Sequence, residues 1–262
     1  MGKHSKHSGH SKRSKEVRGK GNITKKLTLQ NCLLTIFIII FIVSGAILLN
    51  WYISTGNSEK KYEELASEVI STDNQQSIID FEKLRETNSD VVAWIEINGT
   101  TINYPVMKTT DNSYYLTNNF YKEYDRCGSL FMDYKSSFTD KNIVIYGHNI
   151  KRGIMFADLE NVCNGSLGND IDVNIYMPDK AMKFKVFSSY SIDPEDYSIN
   201  TSITENEFDE FKQTLSKRSK IDFVSDYNGS NQILTLSTCD RSGKRRVLVH
   251  ASLEEVNYIS NT

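Results

Sequence analysis

Cysteine is scarce in this chain. Only four cysteines occur among 262 residues, at positions 32, 127, 163 and 239. That number does not suggest a disulfide framework, and nothing in the spacing of Cys127 and Cys163 argues for a single bridge. Internal repeats are missing as well. Acidic residues do not cluster at the spacing of a calcium loop, so we predict no metal site and no cofactor.

Most of the chain lacks a net positive charge. The first 30 residues carry nine Lys or Arg and one acid, which leaves 22 basic and 32 acidic residues at positions 31–262. A basic patch on a folded domain is therefore not expected. His4, His7 and His10 in the tail would suit a metal, and its charge would suit anionic lipid or nucleic acid. We favour a simpler interpretation, in which residues 2–20 are disordered and the basic tail over 1–30 orients the protein in a membrane, with no nucleic acid as partner.

One long apolar run stands out near the N-terminus. Positions 32–49 are 18 residues without a charge, enough to cross a bilayer. Trp51 and Tyr52 follow, as is typical of a membrane interface, and a signal peptide would instead have a shorter core and a cleavage site. We predict a transmembrane anchor over 31–52. Because Lys25 and Lys26 precede it, residues 1–30 are predicted to be cytoplasmic and the rest to lie outside the plasma membrane.

The remaining sequence has the pattern of a small β-barrel. Apolar residues recur at helical spacing over 57–90, which predicts one or two helices, and 53–75 is interpreted as a linker or helix. A helix is also predicted over 205–219. Eight strands are predicted, over 91–97, 101–106, 129–132, 142–146, 172–176, 183–190, 232–239 and 246–253. The predicted fold class is mainly β with helical additions, as a closed barrel within a domain spanning 76–262.

A thiol lies at the end of one predicted strand and an arginine begins the next. Cys239 ends strand 232–239, the polar run after it predicts a turn, and Arg246 follows. Positive charge favours the reactive thiolate, and a guanidinium can donate two hydrogen bonds to an oxyanion. Arg245 would point to the opposite face of a regular strand. The alternative is a buried strand cysteine beside solvated arginines.

Two histidines are candidates for proton transfer. His148 follows the apolar strand 142–146 through Gly147, whose backbone freedom would bring the imidazole close to another group. His250 shares a face with Arg246 but lies four residues along the strand, about 13 Å away. That is too far for both to contact one carbonyl group. We therefore favour His148, and we interpret His250 as a barrel histidine.

These segments resemble the catalytic motifs of the sortases, the membrane-anchored cysteine transpeptidases of Gram-positive bacteria. The resemblance rests on Thr235-Leu236-Ser237-Thr238-Cys239, on Arg246 and on Tyr146-Gly147-His148-Asn149. Segments 111–116, 128–133 and 155–159 and the helix before the penultimate strand resemble class B. The similarity covers about residues 75–255. It implies an eight-stranded sortase-type barrel.

The resemblance also implies an activity. Cys239 would attack a backbone carbonyl of a C-terminal sorting signal similar to Asn-Pro-X-Thr-Asn, cleaved after Thr, and form a thioester. His148 would protonate the leaving amine, and Arg246 would hold the oxyanion. An amine of a lipid-linked peptidoglycan precursor would then resolve the thioester. Asp240 is not expected to act as a further catalytic member.

By the same resemblance, the substrate groove would be lined by Asn112, Leu116, Tyr146 and Ser237. Three functions stay open from the sequence. The first is sortase transpeptidation to the cell wall or to another pilin-like subunit. The second is a surface thiol hydrolase that gives the acyl group to water. The third is an anchored binding module without catalysis. The client protein and the oligomeric state are not predicted.

Overall fold

The computed structural model describes residues 20–73, 76–196, 199, 201–239 and 242–259. Most of the basic tail and Asp240 lie outside these residues, so the predictions made for them concern positions that the structure does not describe. Two compact units are present, Met1–Ile53 and Ser54–Thr262.

The described residues form a long first helix, followed by strands with three shorter α-helices between them. In chain order the elements are α1 (Lys20–Val69), β1 (Ile70–Asp73), β2 (Gln76–Ile79), α2 (Phe81–Thr87), β3 (Val91–Ile97), β4 (Asn103–Met107), β5 (Leu130–Met132), β6 (Asn142–Tyr146), β7 (Asn149–Ile150), β8 (Ile154–Met155), α3 (Leu159–Cys163), β9 (Asp172–Tyr176), β10 (Lys180–Ile192), α4 (Glu205–Arg218), β11 (Ile233–Cys239) and β12 (Arg246–Tyr258).

Eight strands close into a barrel. Their order around it is β10-β12-β11-β6-β5-β4-β3-β9. The β11–β6 and β4–β5 pairs are parallel, and the other neighbours are antiparallel. Each barrel strand overlaps one of the eight predicted strands, so the predicted fold class is confirmed.

Successive side chains of β11 and β12 point to opposite faces of the sheet, and the two faces belong to two different hydrophobic clusters. Leu234, Leu236, Val247 and Val249 belong to the large core cluster of the barrel. Residues of the opposite parity, such as Ile233 and Leu248, join a second cluster that includes residues of α4. Because strand side chains alternate between faces, Cys239 and Arg246 share the face of this second cluster.

Helix α4 covers that outer face, where the sequence predicted a helix. At its start the carboxylate of Glu207 accepts a hydrogen bond from the backbone N–H of Thr204 at 3.2 Å. Phe208 and Leu215 are buried at helical spacing against the second cluster. The predicted helix before the penultimate strand is therefore confirmed.

Helix α1 is the only element of the first unit in the part of the chain described. It contains a stretch long and apolar enough to cross a membrane, although a signal sequence would meet the same criterion. Most large apolar side chains between residues 29 and 53 are exposed. In the second unit, Tyr62, Leu65 and Val69 of the same helix are buried.

Several short elements were not predicted. The β1–β2 and β7–β8 pairs form separate two-stranded sheets, and α3 is a single short helix. Strands this short contain too few residues to show a period of two. Strands β10 and β12 also extend beyond the predicted ends, because they pair with each other from Lys180–Tyr258 to Ile192–Arg246. Pairing in the folded state here outweighs the weak strand propensity of the polar residues near Tyr258.

Candidate active site

Cys239 and Arg246 are direct partners in the β11–β12 register. Both side chains are half-buried. The Arg246 Nη1 atom donates a hydrogen bond to Cys239 Sγ at 2.8 Å. The contact places a positively charged guanidinium beside the sulfur, which is the setting typical of reactive cysteines. The structure therefore brings together the two strand-end residues that the sequence singled out.

Arg245 is held on the other side of the strand. Its Nε atom donates to Ser191 Oγ at 2.9 Å, and its Nη1 atom forms an ion pair with Asp193 at 2.7 Å. Two neighbouring arginines thus have different surroundings, as the alternation of a strand requires. Only the second of them contacts the thiol.

His148 follows the end of β6, which lies beside β11. Tyr146 pairs with Ser237 in the parallel register, and the N–H of Gly147 donates to the carbonyl of Ser237 at 3.2 Å. His148 follows Gly147 directly, so its backbone lies beside the end of β11 that carries Cys239. Its imidazole Nε2 is 2.8 Å from the carbonyl oxygen of Leu116. A carbonyl oxygen only accepts hydrogen bonds, so Nε2 carries a proton and Nδ1 is the nitrogen left for proton transfer.

Gly147 is required here for close packing. A Cβ atom at this position would lie 2.2 Å from Leu130 Cδ2 and 2.8 Å from Phe156 Cδ2. Its φ angle is not in the left-handed region, unlike that of Gly128. The expectation that Gly147 supplies backbone freedom therefore needs revision, since the residue lets β6 end tightly against two apolar side chains.

The residues predicted to line the groove fall into three settings. Asn112 and Tyr146 both donate to Asp133 Oδ2, at 2.8 and 2.9 Å. Leu116 is exposed and presents its carbonyl to His148. Ser237 is only 2% exposed. Their contacts with substrate stay predictions, and the structure adds that Asp133 fixes two of them.

His250 is kept apart from this site. Its Nδ1 lies 3.0 Å from Thr235 Oγ1 and its Nε2 lies 3.1 Å from Tyr190 Oη. Burial, aided by the charge of Arg218, lowers the pKa of His250 to about 3. A histidine that stays neutral and enclosed serves packing, which fits its interpretation as a barrel histidine.

Cys127 and Cys163 are thiols with a raised pKa. Burial raises the pKa of Cys127 to about 12 and also raises that of Cys163. All four cysteines are free thiols. Among the described residues, no group of three His, Cys, Asp or Glu side chains could hold a metal ion.

Two features of the site were missed from the sequence. A backbone carbonyl, as at Leu116, has no signature in residue type. Asp133 lies in a segment noted only for its resemblance to class B, and no pattern linked it to Asn112 or Tyr146. The sequence signal available was the acidic residue that directly follows strand 129–132.

Comparisons with known proteins agree with this geometry. A sortase domain model matches residues 95–254. Sortase B of Listeria monocytogenes is 35% identical over 167 residues, covering 60% of this chain and 65% of that protein. Sortase B of Staphylococcus aureus is 30% identical over 242 residues, covering 88% of this chain and 98% of that protein.

Solved structures give the same result. Sortase B of Clostridium perfringens has a TM-score of 0.63 and 30% identity, covering 67% of this chain and 100% of that one. A Staphylococcus aureus sortase B–substrate complex has a TM-score of 0.64 and 27% identity, covering 78% of this chain and 99% of that one. With this barrel and these matches, the chain belongs to the sortase family, class B, and is a cysteine transpeptidase acting on surface-protein sorting signals.

Proposed function

We propose that Cys239, His148 and Arg246 carry out sortase transpeptidation. The observation that carries the proposal is the 2.8 Å contact between Arg246 Nη1 and Cys239 Sγ, on a strand whose parallel neighbour ends two residues before His148. Cys239 acts as the nucleophile, His148 as the acid and base, and Arg246 as the oxyanion donor.

The first half-reaction forms a thioester. The thiolate of Cys239 attacks the backbone carbonyl carbon of the signal, and the carbonyl oxygen becomes an oxyanion that accepts hydrogen bonds from Arg246. The C–N bond breaks as protonated His148 gives its Nδ1 proton to the leaving amine. The C-terminal tail departs, and the acyl group stays on sulfur.

The second half-reaction returns the enzyme. An incoming amine attacks the thioester carbonyl, and His148 Nδ1 takes its proton. The C–S bond breaks, and Cys239 leaves as the thiolate. A new amide joins the surface protein to the acceptor, for which we propose an amine of a lipid-linked peptidoglycan precursor.

For the substrate we propose a C-terminal signal similar to Asn-Pro-X-Thr-Asn. Asn112, Leu116, Tyr146 and Ser237 would contact it. The first two lie in the loop after β4 and the others at the ends of β6 and β11, close in sequence to His148 and Cys239. Support comes from the match to a sortase B solved with its substrate.

We also propose that 31–52 is a single-pass plasma-membrane anchor with the N-terminus in the cytoplasm and the catalytic domain outside. Exposed apolar side chains between residues 29 and 53 support this, because apolar surface is stabilised in lipid. Protease treatment of intact cells should remove the catalytic domain and leave the tail protected. Protection of the catalytic domain would contradict this topology.

A trapping experiment tests the chemistry. The full-length protein in detergent is incubated with a small library of sorting-signal peptides and examined by intact mass spectrometry. We expect a thioester adduct on Cys239 that disappears when an amine acceptor is added, with the amide as product. Retained cleavage by Cys239→Ala would end the proposal, and free acid in the presence of amine would indicate a hydrolase.

A further inference from the structure

One face of α1 contacts the loop whose Leu116 carbonyl is bound to His148. Within the second unit, Ser58, Lys61, Tyr62 and Leu65 recur at spacings of three and four residues, so they lie on one side of the helix. The polar members of this set contact residues 108–129, here named the groove loop, which joins β4 to β5.

These polar contacts differ in strength. Ser58 Oγ donates to Asp125 Oδ2 at 2.5 Å in a buried setting. Lys61 Nζ forms an ion pair with Glu123 at 2.6 Å, but both side chains are largely exposed. Exposed ion pairs contribute little, whereas breaking a buried hydrogen bond leaves a polar group without a partner. Ser58 and Tyr62 therefore dominate the attachment.

The Tyr62 hydroxyl contacts three residues of the groove loop. It accepts the backbone N–H of Phe120 at 3.1 Å and lies 2.9 Å from Ser129 Oγ and 3.2 Å from the carbonyl oxygen of Gly128. The side chain is only 4% exposed. Burial raises the pKa of Tyr62, so the hydroxyl keeps its proton and its role as donor.

Gly128 and Ser129 in turn fix the backbone at Leu116. The N–H of Ser129 donates to the carbonyl of Tyr115 at 3.0 Å. A Cβ atom at Gly128 would lie 2.5 Å from that carbonyl oxygen and 2.8 Å from the carbonyl oxygen of Leu116. The two backbone segments touch, so a shift at Ser129 moves the carbonyl of Leu116.

The carbonyl of Leu116 accepts the proton of His148 Nε2 at 2.8 Å. A continuous chain of contacts thus leads from Tyr62 through Gly128 and Ser129 to the imidazole. We propose that Tyr62 is a positioning residue, which fixes the protonated nitrogen and the orientation of His148 through the Leu116 carbonyl. The catalytic part of this proposal rests on the acid–base role proposed for His148.

The first test reads the imidazole itself. Full-length protein carrying ¹⁵N-labelled histidine is studied in detergent by NMR, where the five histidines give few signals and His148→Gln assigns the one of interest. We expect Tyr62→Phe, which removes a single oxygen, to reduce the fraction of His148 with a proton on Nε2. Ser58→Ala should act in the same direction more weakly. A His148 signal identical to that of the unsubstituted protein in both variants would overturn the proposal.

The control is Tyr176, a half-buried tyrosine outside the groove loop. Tyr176 on β9 donates a hydrogen bond to Glu96 Oε2 at 2.9 Å. Strand β9 lies between β3 and β10 in the barrel and is not a neighbour of β6 or β11. Tyr176→Phe removes a comparable hydrogen bond and should leave the His148 signal unchanged. An equal change in both tyrosine variants would show a general loss of stability and would overturn the proposal.

Kinetics provide the second test. Because a displaced catalytic group costs about 10- to 100-fold in rate, Tyr62→Phe should lower kcat by this amount, more than it alters KM. A kcat equal to that of Tyr176→Phe would overturn the catalytic part. The NMR result does not require turnover, so it separates failure of this inference from failure of the proposed function, which Cys239→Ala tests.

Discussion

Cys239 and Arg246 are the last residue pair of the β11–β12 register, so the two side chains lie side by side on neighbouring strands. Their contact is therefore set by strand pairing. The turn between the strands can vary without separating them, since backbone hydrogen bonds of the barrel hold both residues in place.

Arg246→Ala should lower kcat for cleavage of a sorting-signal peptide by about 10²- to 10³-fold, because an oxyanion donor is lost. Arg245→Ala is the matched control. Its guanidinium is bound to Ser191 and Asp193, so this variant should retain most of the rate. The comparison is made by steady-state kinetics, and equal losses in the two variants would contradict the assignment of Arg246.

Cys239 should react with a thiol alkylator much faster than Cys127. Cys239 is half-buried and accepts a hydrogen bond from Arg246, whereas burial raises the pKa of Cys127 to about 12. Only the thiolate reacts. Time-resolved labelling with iodoacetamide and peptide mass spectrometry should show this order in the folded protein. Equal rates before unfolding would mean that Cys239 is not activated.

Gly128→Ala should reduce both stability and turnover. The φ angle of Gly128 is 60°, and an added Cβ would meet the backbone at Tyr115 and Leu116. Gly99 is a suitable control, since its φ angle is 78° and nothing lies within 4 Å of an added Cβ. Gly99→Ala should cost about 1 kcal/mol with an unchanged kcat.

Chemical unfolding and peptide kinetics on both glycine variants test this. Gly128→Ala should lose more free energy of unfolding than Gly99→Ala, and only Gly128→Ala should lose turnover. A Gly128→Ala protein with normal turnover would show that the Leu116 carbonyl is not held by this contact.

Acid should destabilise the fold through His250. The free histidine titrates near pH 6.5, whereas burial lowers the pKa of His250 to about 3 in the fold. Between these values the unfolded state binds more protons. The free energy of unfolding therefore falls as the pH falls through this interval, by up to about 1.4 kcal/mol per pH unit.

Urea unfolding of the unsubstituted protein and of His250→Gln between about pH 7 and pH 5 measures this slope. The variant should show a shallower dependence on pH, whatever its absolute stability. An equal slope in His250→Gln would mean that other groups cause the acid sensitivity.

The eight barrel strands could be predicted from the sequence because they are apolar and are bounded by turn residues. The alternation along 232–239 correctly placed Cys239 on the face opposite Leu236, and the strand start at Arg246 gave its partner. Residues Ile70–Asp73 and Gln76–Ile79 were less informative. Four residues provide only two positions on each face of a strand. A segment this short therefore has a pattern of apolar residues that fits a helix as well as a strand.

The geometry around His148 was not predictable in the same way. The sequence identified the histidine, but its partner is the backbone of Leu116, and every residue has a carbonyl group. The role of Gly147 was also misjudged. A side chain is excluded at this position by Leu130 and Phe156, which come close to Gly147 only in the folded protein. Contacts that depend on backbone atoms or on distant side chains leave no local pattern.

Closure of the eight-stranded barrel limits how a peptide can be recognised. Each of its strands pairs with a neighbour on both sides over at least part of its length, which limits the edge that an extended substrate can join as an additional strand. Side chains and loops near the strand ends should then contribute much of the selectivity. Exchanging the groove loop between related enzymes, with the barrel left untouched, should therefore change which signals they prefer.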